Sequence, residues 1–126
     1  MRFLLLHPTL TFPERDLLAI RASMSPLLGV NALAAFLRQE GHEAVVLDPF
    51  LFYLGRTAPS QSFPDTAANL AKKTDPHVVC ISVLSHLRDA CLRTARAVRE
   101  ALPEAWIVLG GVHATDGPEL TELQFG

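Results

Sequence analysis

Along this chain, short runs that are apolar at nearly every position alternate with longer stretches whose apolar residues recur every three or four positions. The short runs cover residues 2–6, 44–47, 77–82 and 106–109. They predict strands buried on both faces, because a half-solvated strand would alternate apolar and polar side chains. The longer stretches predict helices. Ser25-Pro26 offers an N-cap followed by a proline at the first helical position, and Val30, Leu33, Ala34 and Leu37 then form one stripe. Gly41 predicts a left-handed residue closing that helix. A short helix is expected over 66–73. Cys91, Ala95, Val98 and Leu102 mark the buried side of the next one, which Pro103 ends. A last helix begins over 118–123. Residues 9–25, with a helical turn around 16–21, and the Pro-, Ser- and aromatic-rich residues 50–64 read as loops.

Strand and helix in alternation imply right-handed crossovers and an α/β architecture. The expected fold is a doubly wound, flavodoxin-like (Rossmann-like), mostly parallel sheet in the order 2-1-3-4-(5). Only four strands are evident, and no strand follows the last helix. Residues 1–126 therefore read as a single domain, truncated at its C-terminus and forming the N-terminal part of a longer protein. A fourth strand left uncovered would be an aggregation hazard.

Composition narrows the function classes. With 126 residues, 49% of them hydrophobic, the chain can bury a core without staples. A formal charge of -2 lacks the basic excess that nucleic acid or an anionic membrane surface would attract. Cys80 and Cys91 are too few for a disulfide framework or a four-ligand zinc site, and their apolar settings suit buried thiols in a reducing compartment. No run approaches the roughly 20 apolar residues of a membrane-spanning helix. The apolar start stops at His7-Pro8, too soon for a secretory signal, so a cytoplasmic location is expected.

In an open α/β sheet, ligands bind beyond the carboxyl ends of the strands, where the chain order reverses. Three segments reach that edge: His7-Pro8-Thr9, Ser82-Val83-Leu84-Ser85-His86 and Gly110-Gly111-Val112-His113-Ala114-Thr115. The glycine pair allows a sharp turn and close approach of a flat ligand, so Gly110→Val should fill the slot and strain the turn. Ser82 or Ser85 either donates a hydrogen bond into the crevice or caps the next helix. His7 and His113 read as loop histidines, His42 as exposed, and His77 as satisfying a backbone group. Phe50, Phe52, Tyr53 and Phe63 read as loop packing. Asp48 ends the second strand as a ribose-binding acid would, yet no glycine-rich phosphate loop follows the first strand. No Gly-x-Ser-x-Gly elbow, P-loop or His-Glu-x-x-His helix is present, and no self-contained active site emerges.

Three stretches together resemble a known family. They are Pro26-Leu27-Leu28-Gly29 leading to Gly41-His42-Glu43, then Pro76-His77-Val78-Val79-Cys80-Ile81-Ser82, then Val108-Leu109-Gly110-Gly111-Val112-His113-Ala114-Thr115 with Pro118-Glu119. This pattern is similar to the N-terminal cobalamin-binding domain of B12-dependent radical SAM enzymes. Ser82-Val83-Leu84 and Gly110-Gly111 also match elements that line the slot for the dimethylbenzimidazole tail in the wider cobalamin-binding fold. The resemblance implies cobalamin as cofactor, held by His7, Pro8, Ser82, Leu84, Ser85, Gly110, Gly111, His113 and Thr115. The wider fold's Asp-x-His-x-x-Gly, whose histidine ligates cobalt, is not in place after the first strand; there His7 stands without the aspartate or the glycine. The resemblance therefore implies base-off cobalamin with no protein histidine on the metal. The family's Cys-x-x-x-Cys-x-x-Cys is absent as well, which implies an iron–sulfur cluster, S-adenosylmethionine and methyl transfer or related radical chemistry in a catalytic domain outside this chain. The alternatives are a cofactor-free flavodoxin-like regulatory or interaction domain and a nucleotide-sugar or other small-ligand half-domain. A phospho-receiver fits poorly, because His7-Pro8 and Ser82 stand where its acidic cluster and phosphoacceptor would be.

Overall fold

The computed structural model describes residues 1–8, 28–47, 63–83 and 88–111. These form β1 (Arg2–Leu6), α1 (Leu28–Gln39), β2 (Glu43–Leu47), α2 (Phe63–Thr74), β3 (Val78–Ser82), α3 (Arg88–Ala101) and β4 (Trp106–Gly110). The four strands make one parallel sheet in the order β2-β1-β3-β4, the expected doubly wound arrangement. The start of the first helix, the helical turn near 16–21, most of both loops and the last helix fall outside the described residues.

Pleating divides the apolar residues between two layers. Leu4 and Leu6 of β1, Val79 and Ile81 of β3, and Ile107 and Leu109 of β4 pack on one side with Phe63, Ala67 and Ala71 of α2 and Cys91 and Val98 of α3. The small alanines of α2 let this helix and α3 approach closely above the strands. Thr94, fully buried in α3, needs no outside partner because its Oγ1 donates to the Ala90 carbonyl at 2.8 Å. On the other side, Leu5, Ala44 and Ala34 of α1 form a smaller core with Phe3, Val30, Leu37, Val46 and Cys80. Leu33 was expected in the α1 stripe but stands 44% exposed, since the apolar arc of this helix is narrow and covers only β1 and β2.

Turn chemistry sets the helix ends. Gly41 adopts φ +89°, and the His42 N–H donates to Leu37 O while the Gly41 N–H donates to Arg38 O, a Schellman closure. Arg38 then reaches forward, its Nη2 donating to Ala44 O at 2.6 Å and so tying α1 to β2. At the base of the sheet, the Arg2 N–H donates to His77 Nδ1 at 2.9 Å, the backbone role expected for His77. His42 is half-buried rather than exposed: its Nδ1 lies 3.0 Å from the Met1 amine, and its ring meets Phe3 edge-on.

Two further expectations need correction. Phe63 belongs to the first turn of α2 and is only 1% exposed, because its ring anchors the larger core instead of packing within a loop. The fourth strand is covered on one face only. Trp106 and Val108 remain 74% and 49% exposed, since among the described residues no helix lies over that side of β3 and β4. Cys80 shares that side and is half-buried.

Truncating the core anchor, Phe63→Ala, should cost about 3–5 kcal/mol of unfolding free energy in a urea titration. Cys80 supplies a pH test, because burial pushes its thiol above its ordinary 9.0. The folded state then keeps this proton to a higher pH than the unfolded state does. The associated stability is intact below pH 9.0 and lost as pH rises through the folded value. Denaturation midpoints measured across alkaline pH should therefore fall less steeply in Cys80→Ala than in the wild type.

Candidate functional site

The carboxyl edge of the sheet is organised by β1. Its chain crosses to β2 on one side, while the chain from β2 returns to β3 on the other, so the two connections diverge at the tip of β1. This is the switch point at which open α/β sheets leave a crevice. His7 and Pro8 follow directly. Pro8 is fully buried, and a proline there restricts His7 to extended backbone. His7 is not the solvated loop residue expected: it is half-buried, and its Nδ1 is fully shielded without a hydrogen-bond partner.

Register carries the site across the sheet. Leu6 pairs with Ile81, Ile81 with Leu109, and Ser82 with Gly110. One step beyond β1, His7 falls in line with Ser82 and Gly110. All three positions share the face of Leu5 and Cys80, opposite the larger core. On that face a Cβ built on Gly110 would meet nothing within 4 Å, so the backbone forms a bare, open shelf beside the Ser82 side chain.

The two glycines have different reasons to be glycine. Gly110 has no left-handed φ and no close neighbour, so the strained turn expected there belongs to Gly111. Gly111 takes φ +93°, and a Cβ on it would sit 2.7 Å from the Val83 carbonyl oxygen and 3.4 Å from Ser82 Oγ. The same approach lets the Val83 N–H donate to Gly110 O at 2.7 Å, closing the β3–β4 edge one residue past the strand. Beneath it, Cys91 Sγ donates to Ser82 O at 3.5 Å, which ties the first turn of α3 to the tip of β3. Val83 and Cys91 were missed as supports of the site, because nothing local in an apolar residue announces a contact with a distant glycine turn.

Of the expected site residues, the fold brings His7, Pro8, Ser82, Gly110 and Gly111 to this one edge. Leu84, Ser85, His113 and Thr115 lie outside the described residues. Among the described residues, no cluster of three or more His, Cys, Asp or Glu is placed to hold a metal ion. An open groove of about 560 Å³ lies at the opposite end of the strands, between Arg2, Asp75, His77 and the exposed Trp106. It is remote from the switch point. Among the described residues, the arrangement at the carboxyl edge suits binding of a flat group against backbone, with a hydroxyl and an imidazole nearby.

A family model described as "B12 binding domain" matches residues 15–126. The chain is 29% identical over 118 residues to the uncharacterized methyltransferase PH0819 of Pyrococcus horikoshii, an alignment that covers 94% of this chain and 23% of that protein. This chain thus spans about a quarter of the length of that relative. No solved structure matches.

The glycine distinction is testable without any ligand. Gly111→Ala should lower unfolding free energy by at least about 1–2 kcal/mol, the cost of a Cβ in the left-handed region, with the Val83 clash added. Gly110→Ala should fall within about 0.5 kcal/mol of wild type in the same urea titration.

Proposed function

The chain belongs to the B12-binding domain family, and we propose that it is the cofactor-holding module of a larger B12-dependent radical SAM enzyme. Cobalamin is the ligand that membership supports, and the described site fits it. The bare Gly110 shelf carries this reading, because a flat nucleotide base can lie against the strand backbone there only while no side chain fills the space. Ser82 offers a hydroxyl from a strand end held by its register with Gly110. Gly111 keeps the floor low by turning where any other residue would strike Val83. Leu84, Ser85, His113 and Thr115 complete the proposed binding set.

When bound, the corrin supplies organometallic methyl-carrying chemistry. This chain's contribution is positional. It holds the nucleotide arm in the crevice, leaves the lower metal face without a protein ligand, and so favours the base-off form. The iron–sulfur cluster, S-adenosylmethionine and the reacting substrate belong to a catalytic domain elsewhere in the longer protein, with residues 1–126 as its N-terminal domain. The methyltransferase name of the Pyrococcus horikoshii relative supports methyl transfer as the outcome. A cytoplasmic location is part of this reading; among the described residues no helix is long and apolar enough to cross a membrane. The charge of -2 likewise accords with a partner set that excludes nucleic acid and membrane.

Titration with hydroxocobalamin, followed by absorbance and calorimetry, tests the assignment. The expected result is binding with a base-off spectrum. Gly110→Val should fold normally and lose at least about tenfold in affinity, because its branches enter the shelf. Neither heat nor spectral change in the wild type would instead favour a cofactor-free interaction domain. A Cys-x-x-x-Cys-x-x-Cys segment in the longer protein, binding a four-iron cluster on reconstitution, would support the radical SAM assignment.

A further inference from the structure

We propose that His7 anchors the corrinoid by a hydrogen bond from its buried Nδ1 to a peripheral carboxamide of the ring, an inference that rests on the cobalamin reading above. The described residues hold three histidines, and their Nδ1 atoms differ in one respect. His42 Nδ1 is paired with the Met1 amine, and His77 Nδ1 accepts the Arg2 N–H. His7 Nδ1 is shielded from water and has no partner. Native proteins rarely leave a buried polar atom unsatisfied, and such an atom at a binding edge marks a position whose partner arrives with the ligand. Thr66 Oγ1 is also buried and unpaired, but it belongs to α2, which packs against the opposite face of the sheet.

Position sharpens the argument. His7 is the first residue beyond β1, at the switch point, in line with Ser82 and the bare Gly110. Buried Pro8 after it holds the His7 backbone extended, which fixes where the side chain leaves the sheet edge. A carboxamide is the matching chemistry. It carries both a donor and an acceptor, and so satisfies Nδ1 in either tautomer. Cobalt ligation fits less well. A histidine bound to metal through one nitrogen normally gives the other N–H to a carboxylate, a carbonyl or water that orients the ring, and His7 Nδ1 has no such partner.

The test compares wild type, His7→Ala and His7→Asn. Asparagine keeps a polar amide atom close to the position of Nδ1. His7→Ala should bind hydroxocobalamin about three- to tenfold more weakly, while His7→Asn should remain within about twofold of wild type. Without cofactor, His7→Asn should keep the wild-type urea midpoint, because Nδ1 has no hydrogen bond to lose, whereas any fall in His7→Ala reports only lost packing of the half-buried ring. Electron paramagnetic resonance of the cob(II)alamin-loaded wild type should show no nitrogen superhyperfine splitting that depends on His7. Wild-type affinity in His7→Ala would overturn the anchor, as would equal weakening in both variants. Splitting that vanishes in His7→Ala would make His7 a cobalt ligand instead. A wild type that binds no cobalamin at all would defeat the cofactor reading itself, an outcome separate from a failure of the anchor alone.

Discussion

Strand β1 must be satisfied on four sides at once. Its backbone is hydrogen-bonded to β2 on one flank and β3 on the other, and its side chains alternate into two apolar layers. Leu4, Leu5 and Leu6 are each at most 1% exposed, which no three successive residues of the edge strands β2 and β4 match. A parallel strand in this position requires helices on both faces, since the crossover helices are what bury it. The connections diverge around it, and the switch point at its tip is the geometric consequence. Stability of the sheet and the position of the candidate site therefore share one cause.

Coverage of the two faces is unequal, and the site occupies the less covered one. The larger core packs against α2 and α3, whereas α1 shields only β1 and β2 on the other side. Trp106 and Val108 are consequently exposed, with Gly110 next in line along the same face of β4. A shelf at the tip of such a strand stays open because nothing described lies over it. The support comes from below instead: the Val83–Gly110 hydrogen bond, the Gly111 turn and the Cys91 thiol brace the tips of β3 and β4 from the buried side. The floor is braced from below while its upper surface remains open.

Much of this was legible in the residues. Continuous apolar runs such as Leu4-Leu5-Leu6 announced a buried parallel strand, and Gly41 announced the close of α1. The Gly110-Gly111 pair and Ser82 marked the carboxyl edge at the switch point. What misled was the assumption that every apolar strand is covered on both faces. Trp106 and Val108 look like core residues in a one-dimensional pattern, which does not record that α1 extends over only two strands. Phe63 was hidden for a related reason: it stands before a proline in an aromatic, loop-like stretch, and only packing against the sheet draws it into a helix.

By itself, the order of amino acids determined the strand and helix periodicities, and with them the doubly wound topology and the edge on which a site could form. Those properties follow from local spacing and from crossover handedness, both of which a linear chain specifies. Tertiary structure alone decided which of two adjacent glycines forms the turn and which leaves the space. That choice depends on Val83 approaching Gly111 to within a distance a Cβ would not tolerate. It also decided that, of the three histidines among the described residues, one would have a shielded Nδ1 without a partner, because solvation and pairing of a side chain are set by neighbours remote in the chain.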